Sequence, residues 1–331
     1  MLFSSCEQKE LCFNHDEHAP KSDVMVQVQY EREWQYPYEG GTDWLNYPDF
    51  GQVFGVDYEA LRPNIPEGLA IQIYNSAGKY DEIHIAPLGQ KVRMPIGVHS
   101  ILFYNDDSEY IVFDGMQSYV KARATTRTRT RASYMGNPFM ETKSEVTVNP
   151  PDMLYGNYME SYEVQRTIEP TLLPVTMHPL VYTYLVRYEF SHGAEYIALA
   201  RGAMAGMAGS VYLHNGSTSD DAVTVLFDAT VKDFGAQATV RSFGVPGFPN
   251  THYSKTGKSG LYGLNLEVRL KNGKTKSFDF DITGQVAAQP QGGVIVVKGL
   301  EITDEEGKGG GSGFDVDVSG WGDEEEIDLP M

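Results

Sequence analysis

Leu264-Asn265-Leu266-Glu267-Val268-Arg269-Leu270 and Lys274-Thr275-Lys276-Ser277-Phe278-Asp279-Phe280-Asp281-Ile282 flank the pair Asn272-Gly273. Apolar residues recur at alternate positions on both sides, the repeat of a strand with one buried face. Asn-Gly between two such runs is the strongest short hairpin signal, because both residues accept positive φ. The pattern continues outward. Val24, Val26, Val28 and Tyr30 alternate along a first strand. Ala70–Tyr74, Glu82–Ala86 and Gly97–Tyr104 follow, then Val181–Phe190 and Ala194–Ala200. Ala222–Val231, Ala238–Phe243 and Gly293–Ile302 complete the set. Turn residues separate these runs about every 8–12 residues or a little more, the spacing of a β-sandwich.

A chain of 331 residues is too long for one ordinary sandwich. It suits two domains of roughly 100–200 residues each. The segment His214-Asn215-Gly216-Ser217-Thr218-Ser219-Asp220-Asp221 is the strongest linker signal in mid-chain. The expected division is a tether over 1–22, an N-terminal sandwich over 23–216 and a C-terminal sandwich over 217–331 that ends in an acidic strand. Gly202–Gly209 alternates small residues with Met, which lets backbones approach closely. The fold class is all-β, with two tandem sandwiches.

Hydrophobic residues make up 41% of the chain, enough for real cores. No apolar run reaches the roughly 20 residues a membrane-spanning helix needs. The formal charge of −19 repels phosphate backbones and points away from nucleic acid as a partner. The two cysteines, Cys6 and Cys12, both lie near the N-terminus and cannot hold two domains together.

The chain opens Met1-Leu2-Phe3-Ser4-Ser5-Cys6. Small residues before a cysteine, after an apolar stub, look like the end of a bacterial lipoprotein signal. Cys6 is the expected site of lipid attachment. The charged start and apolar stretch of a whole signal peptide are missing upstream, which fits a truncated signal. Glu7–Asp23 is polar, without hydrophobic period, and reads as a flexible tether. His15-Asp16-Glu17-His18 sits in it, but its histidines are three apart, not the four of a helical metal pair. No cofactor is expected.

Three segments are candidate contact sites. Trp34 and Trp44, in the loop Glu33–Phe50, would form a stacking platform for a glycan if exposed. If the loop packs onto its own sandwich, they are core. Arg127, Arg129 and Arg131 alternate with threonines and put three guanidinium groups on one strand face. They read as the solvent face of an edge strand, where charge deters aggregation, or as a basic stripe for an acidic ligand. Asp315, Asp317, Ser319, Gly320, Asp323 and Glu326 fall on positions 1, 3, 5, 6, 9 and 12 of a calcium loop. Gly322 replaces the expected apolar residue and the flanking helices are missing. An acidic terminal strand is the preferred reading.

Two enzyme-like motifs fail in context. Asp279-Phe280-Asp281-Ile282-Thr283 resembles a phosphotransferase nucleophile signature but closes a hairpin near the C-terminus. Gly257-Lys258-Ser259 lacks the first glycine of a phosphate-binding loop. No nucleophile–base constellation emerges, and a non-catalytic role is expected.

Several segments carry a family resemblance: Ser4-Ser5-Cys6-Glu7-Gln8-Lys9-Glu10-Leu11-Cys12, Pro151-Asp152-Met153-Leu154-Tyr155-Gly156 and Ala200–Ser210. In the tail they are Arg269–Lys274, Asp281–Val286, Gly292–Val296 and Phe314–Val318. These resemble fimbrillin-like surface lipoproteins of Bacteroidales over essentially the whole chain. The resemblance implies two tandem transthyretin-like, Greek-key sandwiches. It also implies a lipid-anchored place at the bacterial outer membrane, exposed at the surface. It implies partnership with other fimbrial or surface subunits through β-strand contacts, as a fimbrial accessory, anchor or adhesin. Stalk members of that family are opened by proteolysis after a basic residue. Lys21 and Arg32 are the nearby basic sites besides Lys9, and no clear cleavage signature surrounds them. The competing reading is a surface carbohydrate-binding module of a glycan-uptake system.

Overall fold

The computed structural model describes residues 20–130, 146–249 and 261–309. The first half supplies β1 (Lys21–Tyr30), β2 (Leu69–Asn75), β3 (Gly78–Ile85), β4 (Lys91–Pro95) and β5 (Gly97–Tyr104). It continues with β6 (Ile111–Asp114), β7 (Arg123–Thr126), the short β8 (Thr147–Val148), β9 (Tyr155–Val164) and β10 (Thr171–Pro179). The second half supplies β11 (Tyr182–His192), β12 (Ile197–Ala208), β13 (Ser210–Tyr212) and β14 (Ala222–Lys232). Then come β15 (Gly235–Ser242), β16 (Gly263–Leu270), β17 (Thr275–Asp281) and β18 (Gly293–Glu301). Helices α1 (Phe50–Phe54), α2 (Thr283–Ala287) and α3 (Asp304–Lys308) are each little more than one turn.

The long strands form two sheets that curl into half-barrels. The first runs β3-β2-β5-β9-β10-β1-β4 and the second β17-β16-β12-β14-β15-β11-β18. A small third sheet, β13-β7-β6, lies at their junction. One relationship repeats. β1 runs parallel to β10, with Val24 opposite Thr171 and Tyr30 opposite Met177. β11 runs parallel to β18, with Tyr184 opposite Gly293. In each sheet the first long strand of one stretch of chain pairs with the last, and the short β8 of the first stretch also joins the second sheet, parallel to β14. This is a tandem all-β architecture, as expected.

The two stretches meet between Pro179 and Tyr182, upstream of the expected division at 216/217. β11 and β12 fall on the N-terminal side of that division but belong to the second sheet. The segment His214–Asp221 is instead the turn that joins β13 to β14. The junction carries no linker signal because it is buried. Leu180 is 8% exposed and Val181 is fully enclosed in a cluster with Tyr74, Tyr104, Val211 and Phe243. A buried crossing must be apolar, and an exposed turn must be polar. Composition therefore marks the turn and hides the junction.

Each sheet has its own core. Val24, Val26 and Val28 alternate into the first, beside Ile71, Ile73, Ile101 and Tyr155. Tyr184, Val186, Met204, Leu266, Val286 and Ile295 fill the second. β12 is one strand of 12 residues that absorbs the small-residue stretch. At Gly202 a Cβ would run into the Phe227 ring and the Tyr188 hydroxyl, so close packing accounts for that glycine.

The β16–β17 hairpin forms in register, Gly263 opposite Asp281 and Arg269 opposite Thr275. The half-buried Phe278 and Phe280 pack on the core, so Asp279–Thr283 is an amphipathic strand end. The turn differs from the two-residue type in one respect. Gly273 has φ of +83°, while Asn272 keeps negative φ. The Leu270 carbonyl accepts from Gly273 N at 2.8 Å, and Leu270 N donates to the Lys274 carbonyl at 2.7 Å. This is a three-residue loop with glycine in the left-handed position. The Asn272 side chain instead donates to the carbonyls of Glu306 at 2.7 Å and Gly307 at 3.0 Å, closing the C-terminus of α3.

Candidate interaction surface

After β1 the chain leaves its own sheet and crosses the other. Thr183 N donates to the Trp34 carbonyl at 2.8 Å, and Tyr36 N to the Gln291 carbonyl at 2.9 Å. Beyond them Trp34, Trp44, Phe50, Phe54 and Tyr58 pack over Leu185 and Val294, apolar residues on the outer side of β11 and β18. The Trp34 and Tyr58 rings lie 5.1 Å apart, and Trp44 meets Phe54 edge-on at 5.8 Å. Trp34 is 1% exposed and Trp44 8%. Neither indole offers a free face, so the expected stacking platform is instead the seal of a strap. The physical reason lies in the sheet beneath: Leu185 and Val294 need an apolar cover, and the first polypeptide to pass provides it.

The arginine segment also differs from an edge strand. β7 is the central strand of its sheet, flanked by β6 and β13. Past Thr126 the backbone stays paired, Arg127 N to Tyr110 O at 2.8 Å and Arg129 N to Thr147 O at 2.9 Å. Arg127 is exposed. Arg129 is half-buried and directs one guanidinium nitrogen to the Leu226 carbonyl at 3.4 Å. The partner strands come from far along the chain, so local reading cannot see them. Cys6, His15, His18, Arg131 and Gly257–Ser259 lie outside the described residues. So do Asp315, Asp317, Ser319, Gly320, Asp323 and Glu326 of the acidic end.

A cleft of about 930 Å³ opens between the first sheet and the small third sheet. Its walls are the end of β2 with the β2–β3 turn, β5, the β6–β7 loop, β9 and the turn after β13. Tyr74, Tyr119, Tyr158, Glu160, His214 and Asn215 line it. Tyr119 lies between Tyr74, 5.7 Å away and edge-on, and His214 at 5.8 Å. Burial pulls the His214 imidazole below its ordinary pKa of 6.5, and the Glu160 charge opposes that only in part. The ring is therefore neutral near pH 7. Burial pushes the Tyr119 phenol up to about 12, with the charge of Glu160 adding to it. Tyr119 Oη and His214 Nδ1 have no hydrogen-bond partner among the described residues. Tyr158 is 49% exposed. Tyr119 Oη and His214 Nδ1 are both buried, so the accessible polar lining is Glu160 and Asn215 beside the Tyr158 ring, which suits a ligand or partner that offers hydrogen-bond donors. No motif marks the cleft in the sequence, because its residues come from five separate segments. The one local signal is the polar turn at His214, which reads as a linker.

Comparison with known proteins follows the same architecture. The chain is 23% identical over 314 residues to a Bacteroides ovatus ATCC 8483 protein named "Putative fimbrium anchoring subunit Fim4B". That similarity covers 86% of this chain and 91% of the relative. The crystal structure of "a putative adhesin" from the same strain superposes with a TM-score of 0.57 at 18% identity. It covers 92% of this chain and 98% of the other, so the two share a fold. A family described as "Domain of unknown function (DUF5119)" matches residues 45–228, and the chain belongs to that family.

Proposed function

We propose that this protein is a non-catalytic cell-surface component that anchors fimbriae, held at the outer membrane by a lipid on Cys6. The observation that carries the reading is similarity along nearly the whole chain to a relative named as a fimbrium anchoring subunit. The shared fold with an adhesin-named structure supports it. The strap supports it mechanically. A base subunit bears load between membrane and filament, and the buried aromatic packing fastens the segment that follows β1 onto the second sheet. Its partners are other fimbrial subunits, met through β-strand contacts. The test is deletion of the gene in a fimbriated strain. Anchoring predicts fimbriae shed into the medium and restored to the cells by the wild-type gene. Restoration by Cys6→Ala would remove the lipid from the account, and fimbriae that stay cell-bound in the deletion strain would remove the anchoring role.

A second reading, a glycan-binding module, moves from the buried Trp34 and Trp44 to the cleft between the first sheet and the small third sheet. The half-exposed Tyr158 beside His214 favours that place. Binding on a glycan array that is lost with Tyr158→Ala and kept with Trp44→Phe would support it.

A further inference from the structure

The dipeptide Asn-Gly occurs twice in the chain, at Asn215-Gly216 and at Asn272-Gly273. Both sit in turns of the same build. Each asparagine Oδ1 accepts from the backbone nitrogen two residues on, Ser217 N at 2.9 Å and Lys274 N at 3.1 Å. Each glycine has positive φ, +69° at Gly216 and +83° at Gly273. Each glycine nitrogen donates to an earlier carbonyl at 2.8 Å, that of Tyr212 in one turn and of Leu270 in the other. The backbone therefore treats the two asparagines alike.

Their side-chain amides differ. Asn272 is half-buried, and its Nδ2 donates to the carbonyls of Glu306 at 2.7 Å, Gly307 at 3.0 Å and Gly309 at 3.3 Å. Asn215 is exposed, and its Nδ2 has no hydrogen-bond partner among the described residues. Its Oδ1 instead carries a second donor, the Ser217 hydroxyl at 2.7 Å. Two donors on one amide oxygen draw charge from Cγ and stabilise the negative charge that develops on that oxygen when a nucleophile adds. The nearest nucleophile is the next backbone nitrogen, and glycine has no Cβ to shield it.

The chemistry that follows needs only water. The Gly216 nitrogen loses its proton to solvent and bonds to Asn215 Cγ. The Cγ–Nδ2 bond breaks, and Nδ2 departs with solvent protons as ammonia, leaving a cyclic imide. Water then opens the ring. Attack at Cγ restores the main chain with an aspartate side chain. Attack at the Asn215 main-chain carbonyl leaves Gly216 bonded to Cγ, an isoaspartate. Either way one amide and one water become one carboxylic acid and one ammonia, with no change in oxidation state. At Asn272 the same departure must first break three hydrogen bonds to the end of α3.

We propose that Asn215 is a self-modification site, whose amide the fold activates, while the same fold protects the amide of Asn272. Asn215 lines the cleft together with Glu160. It also borders the depression that holds Lys121 and Arg123, and the one that holds Glu31 and His178. The reaction puts a second carboxylate into the cleft, at the meeting point of three depressions. Older molecules thus come to disfavour anionic groups there. This inference is independent of the anchoring role.

The test is peptide mapping by mass spectrometry of the full chain, folded and in urea, through a time course above neutral pH. In the folded chain the Asn215 amide is expected to be lost about tenfold faster or more than that of Asn272, as for a leaving group freed of one or two hydrogen bonds. In urea the two rates converge. Ser217→Ala, which keeps the backbone donor and removes the hydroxyl, slows the loss at Asn215 in the folded chain and leaves Asn272 unchanged. Equal folded rates, or a faster Asn272, overturn the proposal. A difference that persists in urea also overturns it, because flanking sequence rather than the fold would then be the cause. An unchanged rate in Ser217→Ala overturns the activation by the hydroxyl.

Discussion

Trp44 and Gln289, 245 residues apart in sequence, are joined by a 2.6 Å hydrogen bond from the indole nitrogen to the side-chain oxygen. Through that oxygen the strap that leaves the first sheet is tied to α2 and, by Val294 N, to β18. One buried glutamine thus connects the N-terminal and C-terminal parts of the chain. The bond fastens the aromatic loop to the second sheet, whose Leu185 and Val294 it covers.

Trp44→Phe keeps an aromatic ring in the strap and deletes the donor. It is expected to lower stability by about 1–2 kcal/mol, because Gln289 Oε1 loses one of two donors and the indole volume shrinks. Trp44→Ala, which empties the site, costs about 3–5 kcal/mol. Urea denaturation followed by fluorescence measures both. Equal losses in the two variants would show that the hydrogen bond contributes and the ring does not.

Gly202→Ala tests the close packing within β12. The added methyl meets the Phe227 ring and the Tyr188 hydroxyl. The expected cost is about 1–3 kcal/mol for overpacking. Adding Phe227→Leu should recover part of that loss, and thermal melts of the three variants decide it. A neutral Gly202→Ala would mean that the ring moves freely.

Thr303→Ala tests the start of α3. The Thr303 hydroxyl accepts from Glu306 N at 3.2 Å, and the Glu306 carboxylate accepts from Thr303 N at 2.8 Å, a reciprocal cap. Its loss costs about 1 kcal/mol. Amide exchange of Glu306 should accelerate while that of Ile295 does not. Acceleration at both would mean that α3 and β18 unfold together.

His214 makes stability depend on pH in a defined direction. Burial lowers its pKa below 6.5 in the folded chain. Below that pH the unfolded chain therefore binds a proton that the folded chain refuses. The contribution of the neutral ring is complete above about 6.5. It is lost as pH falls toward the folded pKa. His214→Gln should reduce the loss of stability between pH 7.5 and 5. Denaturation curves at the two values that differ equally in both proteins would contradict this, as would an NMR titration of His214 at or above 6.5.

How much of this is legible in the sequence depends on how local the cause is. β1 is legible because Val24, Val26 and Val28 alternate into one core. The β16–β17 hairpin is legible because its turn and both strands are contiguous. Its turn class is not, since Asn272 is drawn to the carbonyls of α3, a contact with residues over thirty positions away. β9 escapes local reading for lack of a strong apolar alternation, and β4 because the alternation of Val92 and Met94 sits in a strand of only five residues that Pro95 ends. The sheet junction at Leu180-Val181 is hidden because burial makes it resemble a strand. Trp34 and Trp44 are visible as aromatics, but which sheet they cover is decided by Leu185 and Val294. The cleft residues Tyr74, Tyr119, Tyr158 and His214 meet only in the fold. The signal nearest to them, the polar turn at His214, has the same composition whether it links domains or lines a site.

Immunogold electron microscopy of fimbriated cells tests the proposed role most directly, with an epitope inserted after Ile168, fully exposed in the β9–β10 turn. Anchoring predicts gold confined to the membrane-proximal end of each fimbria. Gold spread along the shafts, gold at the distal tips, or gold on the cell surface with no relation to fimbriae would contradict it.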